Sequence, residues 1–411
     1  MLGTLFPRAS KKCLELSLLG PVMEGFEDWL MQQRYSRPHI RSTLRVVRKV
    51  DGYLRRKGIQ RPENITSLAL GRYWKTLHRR AYWEAGAVRI LERFLTMRGI
   101  LSSCADDTTP SSLLVAEYAD YLREVRGLTA DTVKYQVRVA EQFLNHLDFD
   151  KAAEGLAVIS ADGIEGFVRK LSGSVSRTTL RNKVTILRNF LRYLAATGRV
   201  SPDLADQIDR PRVYKLEKLP RALRWKTVQA LLRSIPKTTA KGRRDYTMLF
   251  LMAAYGLRTC EVVALTLDDL DWRAGVIRIR QSKTHNELRL PLTDQAARVL
   301  IEYLREVPRP TAFRNLFFQV KAPIKPLRRE ALTAAFEEWS RRSGLDIPFH
   351  GPHCIRHSYA VHLLIKGTSL KTIGDLLGHR CTESTANYLR LATDQLREVG
   401  LPVPLQGRRQ L

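Results

Sequence analysis

The spacing of apolar residues predicts a chain built mainly of amphipathic helices. Within residues 20–100, apolar side chains recur three and four positions apart, as in 26–30 and 44–47, and arginines and lysines fill the positions between them. Ser36 and Pro38 predict the start of a helix, because serine can cap a helix and proline suits its first turn. The expected fold class is therefore mainly α.

A second helical segment, residues 113–200, repeats the pattern of the first. Residues 88–95 and 184–191 share five apolar positions, and a glycine follows each copy. Any two amphipathic helices share such spacing. The order of several helices also agrees, however, so the sequence favours a duplicated helical module. The polar stretch 101–112 between the two segments is predicted to be a linker.

A proline-rich, charged stretch at 201–224 predicts the main domain boundary, because prolines at this density end helices and stiffen a connection. The predicted organisation is an N-terminal helical domain, a second helical domain, a linker and a C-terminal domain, at 1–105, 111–205, 206–222 and 223–411 respectively.

The C-terminal domain differs from the others because it contains two strand patterns. Residues 276–280 and 288–292 alternate apolar and charged side chains, and Lys283 lies in the connection between them. From Asp294 onward the pattern predicts helices, except around 347–352. This domain is therefore expected to be α+β, with a small antiparallel sheet.

The charge of the chain adds a partner to this picture. Lysine and arginine number 69 against 41 acidic residues, which gives a net charge of +28. A well-solvated surface needs no such one-signed excess, so a nucleic acid is the favoured partner. Five scattered cysteines form no C-x-x-C pair, which favours a reducing compartment over a disulfide framework or a zinc ribbon. With no secretory leader and no membrane-spanning run, a soluble, cytoplasmic, nucleoid-associated protein is expected.

Polar residues of the C-terminal domain form three motifs in a fixed order. The first is Gly-Leu-Arg-Thr-Cys-Glu at 256–261, the second is the lysine between the strands, and the third is His-Cys-Ile-Arg-His, Leu-Gly-His and a later tyrosine. The candidate catalytic residues are Arg258, Lys283, His353, Arg356, His379 and Tyr388, with Glu261 and His357 in supporting roles.

These motifs resemble the tyrosine recombinase (phage integrase) family. Its catalytic domain carries G-[LM]-R-x-x-E, a lysine on a β-hairpin, H-x-x-R-H, L-G-H and a tyrosine nine residues after that histidine. The resemblance covers 215–395 well and, as the family's core-binding domain, 113–200 more loosely. It implies helical SAM-like DNA-binding domains ahead of a catalytic domain. It also implies a site-specific recombinase or integrase of a phage, transposon or other mobile element.

The resemblance further implies a reaction and partners. The DNA would be carried as a 3′-phosphotyrosyl ester, with a Holliday junction as intermediate. The bond energy is retained, so neither ATP nor a metal is required. The expected partners are double-stranded DNA and further copies of the chain. The copies would form a tetramer on paired sites, with exchange of C-terminal tails. Accessory DNA-bending proteins or a co-encoded recombinase would complete the assembly.

The candidate residues suit this chemistry. Free tyrosine has a pKa of about 10, so a phenolate nucleophile needs a cationic pocket. Arg258 and Arg356 can each offer paired N–H donors to a phosphate, and His379 can donate a further hydrogen bond. His353 can accept or relay a proton, and Lys283 can protonate the leaving 5′ hydroxyl.

Competing interpretations of single residues remain open. Arg258 could merely pair with Glu261 one turn away. His353 and His357, with His362 beyond, could suggest a metal site, but no carboxylate accompanies them and no metal is expected. Tyr359 is a rival nucleophile, but its apolar neighbours favour a core position.

Competing interpretations of two cysteines and of the whole chain remain open as well. Cys260 and Cys354 adjoin catalytic positions, but nothing in the sequence suggests that either acts as a nucleophile. No nucleotide-binding motif is present, so no cofactor is expected. The alternative functions are a type IB-like topoisomerase and a catalytically silent DNA-binding or architectural protein.

Overall fold

The first described part of the chain contains four helices. The computed structural model describes residues 13, 15–78, 80–101, 109–152, 156, 159–214, 217, 219–281, 286–307, 312–379 and 382–391. The four helices are α1 (Met23–Gln32), α2 (Arg37–Arg56), α3 (Ser67–His78) and α4 (Tyr82–Met97). Helix α2 begins one residue after Ser36, which confirms the predicted start, and α3 packs against α4.

Four further helices form a module with its own core. They are α5 (Pro110–Glu124), α6 (Ala130–His146), α7 (Ala161–Ser172) and α8 (Arg177–Ala196). The side chains of Thr109, Ser160 and Ser176 accept backbone N–H groups at the starts of α5, α7 and α8, as N-caps do. Their core includes the fully buried Tyr118 and Phe143. Because α5 starts at residue 110, the last three residues of the predicted linker 101–112 are helical instead.

The C-terminal part combines helices with a three-stranded antiparallel sheet whose strands pair in chain order, which confirms the predicted fold class. The first strand, Leu270–Asp271, was not predicted, and it has only two residues. The elements are α9 (Trp225–Ser234), α10 (Ala240–Tyr255), α11 (Thr259–Ala264), β1 (Leu270–Asp271), β2 (Val276–Arg280), β3 (Glu287–Pro291), α12 (Asp294–Glu306), α13 (Arg329–Ser343), α14 (His353–Ile365), α15 (Leu370–Leu377), α16 (Thr382–Ala386) and a 3-10 turn (Asn387–Leu391).

One stretch that the sequence predicts to be helical has no helix in the structure. Residues 312–328 form turns and isolated bridges, with Leu316 N–H donating to Leu265 O and Leu327 N–H donating to Phe317 O. Two prolines in this stretch, Pro323 and Pro326, have no backbone N–H and so cannot continue a helical ladder. The helical prediction from Asp294 onward is therefore wrong here.

Helix α10 is the central element of the C-terminal core. Its side chains from Thr247 to Ala253 are all buried, and it packs against α12, α13 and α14. A helix that is buried all round is expected at the centre of a fold. The end of α10 at Tyr255 is thereby fixed beside α14, where the candidate residues are found. No helix within the described residues is long and apolar enough to cross a membrane.

Candidate active site

The first arginine is held by a tight turn at the end of α10. Gly256 ends this helix with φ +64°, and a Cβ there would lie 2.5 Å from the Tyr359 ring, so glycine is required. Two residues on, the Arg258 backbone N–H donates to Glu261 Oε2 at 2.7 Å, and Arg258 Nη1 donates to Glu261 Oε1 at 2.6 Å. The pairing with Glu261 is therefore real, and it fixes the guanidinium of Arg258 at the start of α11.

The second arginine ties together the ends of two helices. Arg356 is 4% exposed; its Nη1 donates to Gly256 O and its Nη2 to Leu377 O, both at 2.7 Å. Glu261 Oε2 lies 3.9 Å from Arg356 Nη1, so this carboxylate is close to both arginines. Burial, and next the charge of Arg258, lower the pKa of Arg356 to about 10, while Glu261 opposes the shift. Arg356 therefore stays cationic at neutral pH.

The Leu-Gly-His motif forms the turn that ends α15. Gly378 has φ +63°, and a Cβ there would lie 1.9 Å from Gln281 Nε2, so no larger residue fits without a shift. Gln281 Nε2 donates to Leu377 O at 3.4 Å. The residue that follows β2 therefore touches the same carbonyl as Arg356. Lys283, two residues further on, lies outside the described residues.

His379 follows this turn and is held by a buried hydroxyl. Its Nδ1 lies 2.8 Å from Thr385 Oγ1, and Thr385 is fully buried. Burial, and then the charges of Arg356 and Arg258, lower the pKa of His379 to about 4. The ring is therefore neutral at physiological pH, and one of its nitrogens is engaged by Thr385.

Tyr388 is buried beside a histidine. Its side chain is 3% exposed within an apolar cluster that includes Ile373 and Leu377. Its hydroxyl lies 3.1 Å from His357 Nδ1, and its ring centroid is 6.4 Å from that of His379. Burial raises the pKa of Tyr388, whereas the charges of the two arginines lower it. The sequence neighbours of Tyr388 are polar, and its apolar surroundings come instead from α14 and α15.

His357 has a more direct place than the sequence predicted. It contacts the Tyr388 hydroxyl, whereas His353, one turn earlier on α14, is exposed, with ring centroids 6.1 Å apart. Burial first, then the charges of His353 and Arg356, lower the pKa of His357 to about 4. The contact joins residues 31 positions apart, so the only sequence signal for it was the adjacency to Arg356.

The competing residues have other roles in the structure. The Tyr359 ring packs against Gly256, and burial raises its pKa. Burial raises the pKa of the Cys354 thiol to about 12, which makes it a poor nucleophile. His362 stacks on Trp225 with ring centroids 4.3 Å apart. Within the described ranges, no group of three or more histidine, cysteine or acidic residues could hold a metal ion.

The chain is similar to known proteins over most of its length. Residues 221–395 match the model of the phage integrase family, and residues 115–198 match its N-terminal SAM-like domain. The Sinorhizobium fredii protein named integrase/recombinase y4rA is 34% identical over 387 residues, which cover 92% of this chain and 93% of that protein. The tyrosine recombinase XerD of Listeria monocytogenes is 31% identical over 291 residues, which cover 70% of this chain and 96% of XerD.

Solved structures share the fold at lower identity. XerH site-specific recombinase bound to its palindromic difH substrate superposes with a TM-score of 0.55 at 20% identity, over 80% of this chain and 93% of XerH. A lambda integrase tetramer bound to a Holliday junction gives a TM-score of 0.54 at 16% identity, over 75% of this chain and 86% of that one. Both neighbours are multi-domain proteins with helical DNA-binding and catalytic domains, as predicted for this chain.

Proposed function

We propose that this chain is a site-specific DNA recombinase that cleaves and rejoins strands through Tyr388. The premise is its family, because the chain belongs to the phage integrase family of tyrosine recombinases. Family membership supports site-specific recombination, and the site adds the chemistry. The observation that carries the proposal is a buried tyrosine hydroxyl 3.1 Å from a neutral histidine, in the field of two arginines. Those groups are what a phosphoryl transfer to a phenol requires.

The proposed reaction proceeds by exchange of one ester for another. Tyr388 Oη attacks the phosphorus and passes its proton to a histidine, and a 3′-phosphotyrosyl ester forms as the bond to the 5′ oxygen breaks. Lys283 is proposed to protonate that leaving oxygen. Ligation reverses these steps, so the bond energy is conserved and neither ATP nor metal is consumed.

The arginines are proposed to hold the phosphate. Arg258 and Arg356 can donate to its non-bridging oxygens, because each guanidinium has more N–H groups than its present partners occupy. His379, neutral and oriented by Thr385, is proposed to donate a further hydrogen bond from its other ring nitrogen. Electrostatic stabilisation of this kind is usually the largest part of the rate enhancement.

The domains are proposed to grip duplex DNA from two sides. The helical module at 111–205 and the catalytic domain at 223–411 would form the clamp, joined by the linker 206–222. Residues 1–105 are proposed to be a duplicate of the helical module. In support, the described residues of each segment include four α-helices of ten or more residues, and in both segments the second and fourth are longer than the third, which has 12 residues.

The assembly is proposed to be a tetramer on paired recombination sites. The lambda integrase neighbour is described as a tetramer on a Holliday junction, which supports this stoichiometry here. Exchange of C-terminal tails between subunits remains a proposal, since residues 392–411 lie outside the described part of the chain. Accessory DNA-bending or co-encoded recombinase proteins are proposed as further partners.

Covalent capture on random-sequence DNA tests the enzyme proposal and selects the target at the same time. The protein is incubated with a pool of random-sequence duplexes that each carry a nick, denatured, and stripped of non-covalent DNA. Wild type should retain DNA on Tyr388, whereas Tyr388→Phe should bind the pool equally and retain none. Binding without adducts in wild type would contradict the proposal and favour a silent DNA-binding protein.

A second assay separates recombination from relaxation. The sequences recovered by covalent capture are placed on paired duplexes and, separately, on a supercoiled circle. Junctions and exchanged products are expected on the paired duplexes. Relaxation of the circle without exchange on the pairs would instead support the type IB-like topoisomerase.

A further inference from the structure

Helix α2 carries a row of arginines that the active site does not use. Arg37, Arg41 and Arg45 are spaced four residues apart, so they lie on one face of the helix, and all three are exposed. Together with Pro38 and Ser42 they line a surface groove. We call these three residues the arginine row.

The arginine row has no acidic counterpart. Among the described residues, none of the three guanidinium groups has a carboxylate within ion-pair distance, although many other arginines of the chain do. The one acidic residue of α2, Asp51, is buried and accepts the backbone N–H groups of Leu18 and Leu19. Ordinary solvated surfaces intersperse both signs of charge. An unneutralised row is better explained by an anionic partner.

The guanidinium groups of the row indicate which kind of anionic partner is favoured. Guanidinium groups bind phosphates with two parallel hydrogen bonds, and they do so better than ammonium groups. The row runs from residue 37 to residue 45, or about 12 Å of helix, and duplex DNA carries about seven phosphate charges in that length. A helix that binds lipid needs exposed apolar residues beside its charges. The apolar residues Ile40 and Leu44 of α2 are each only 1% exposed, so a membrane surface fits poorly.

We infer that the arginine row binds the phosphate backbone of duplex DNA, as a contact outside the active site and outside the helical module at 111–205. The inference rests on the proposed function only in taking DNA as the partner. It gives the first four helices a task of their own, which is to lengthen the stretch of duplex that one subunit holds. Contacts of this kind supply affinity and register but carry no base sequence.

Salt dependence of binding measures this contact directly. Each neutralised phosphate makes the slope of log affinity against log salt steeper by about 0.9. Replacing all three arginines with alanine should therefore make the slope shallower by about 2–3, and should weaken binding to a random-sequence duplex at least about tenfold near 100 mM salt. Alanine favours helix, so α2 should persist, and far-ultraviolet circular dichroism checks this.

The control removes the same charge from elsewhere. It replaces Arg89, which lies in the same helical segment and already pairs with Glu92 in the structure. Arg89→Ala should change the slope by clearly less than each single change Arg37→Ala, Arg41→Ala or Arg45→Ala does. Equal changes would overturn the inference, because net charge alone would then explain them. If the triple row variant unfolds, the single change Arg41→Glu provides the same comparison against Arg89→Glu.

Two further readouts separate the possible causes of failure. At saturating DNA the row variant should still form the Tyr388 adduct, because the row lies outside the active site. If wild type forms no adduct but its salt slope still differs from that of the row variant as expected, the proposed function is contradicted and the inference about the arginine row is supported. Loss of binding to anionic-lipid vesicles, with DNA binding unchanged, would overturn the inference in favour of a membrane surface.

Discussion

The contact between His357 and Tyr388 gives the sharpest test of the mechanism. His357 Nδ1 lies 3.1 Å from the tyrosine hydroxyl, within hydrogen-bond reach, while His353 is exposed one turn away. We expect His357→Leu to abolish most strand cleavage while DNA binding is retained. His357→Asn places an amide atom where Nδ1 stood, so it can still hold the hydroxyl, but it cannot take up its proton.

The size of the effect follows from ionisation. An ordinary phenol, with a pKa of about 10, is ionised to about one part in a thousand at pH 7. Burial raises the pKa of Tyr388 and makes that fraction smaller. A positioned general base typically contributes about 10²–10⁴-fold. If His357 accepts the proton, both variants should therefore lose about 10²–10⁴-fold in the rate of single-turnover cleavage. If His357 only orients the ring of Tyr388, His357→Asn should cleave at close to the wild-type rate.

The assay follows adduct formation at saturating enzyme on a nicked duplex recovered by covalent capture, with His353→Asn as the matched control. In wild type, burial lowers the pKa of His357 to about 4, so it is neutral and able to accept a proton across the assay range. Cleavage should thus stay level between about pH 6 and pH 8. If His357→Leu cleaves within a few-fold of wild type while His353→Asn does not, the reasoning is refuted and His353 is the base.

Three further predictions concern Arg258, a crowded glycine of the site, and a buried ion pair in the C-terminal core. Arg258→Lys should bind DNA but cleave about 10²–10³-fold more slowly in the same assay, because a point charge cannot reproduce a two-pronged donor; a near-normal rate would make Arg258 structural. Gly378→Ala should lower the free energy of unfolding by more than the control Gly344→Ala, since both have positive φ but only Gly378 is crowded; equal losses in denaturant titrations would contradict this. Asp245→Ala should cost about 3–5 kcal/mol by the same measurement, because it leaves the buried Arg244 without its carboxylate, and a loss below about 1 kcal/mol would contradict that burial.

The motifs grouped Arg258, Arg356, His379 and Tyr388, which the structure brings close together, but the sequence did not predict how these side chains are held. Lys283 lies outside the described residues, and His353 is exposed one turn from His357. The carbonyls of Gly256 and Leu377 that bind Arg356 carry no side-chain signature, so no motif could reveal them. The same limit applies to the Tyr388–His357 contact, which depends on how a short turn folds back onto α14.

The positions of charged residues in the sequence do not predict which arginines are exposed at the surface. Lys241, Arg243 and Arg244 lie close together in the sequence, and the structure places all three within α10. Arg244 is buried and donates to Asp245 and to Phe318 O, so it serves the core. Sequence alone cannot separate such an arginine from the exposed Arg41, to which no carboxylate of the described residues pairs, because the difference lies in whether a tertiary carboxylate reaches the guanidinium group.

Glu261 lies close to both arginines of the site. It binds Arg258 directly and lies 3.9 Å from Arg356, so its one negative charge is shared between two cations. Two guanidinium groups stand beside one carboxylate, so the three side chains keep a net positive charge. In the proposed reaction, a phosphodiester beside them would supply the missing negative charge, and the pentacoordinate phosphorane would supply more. Such a pocket would bind the transition state more tightly than the ground state, which is the condition for an arginine pair to accelerate cleavage and not merely to bind DNA.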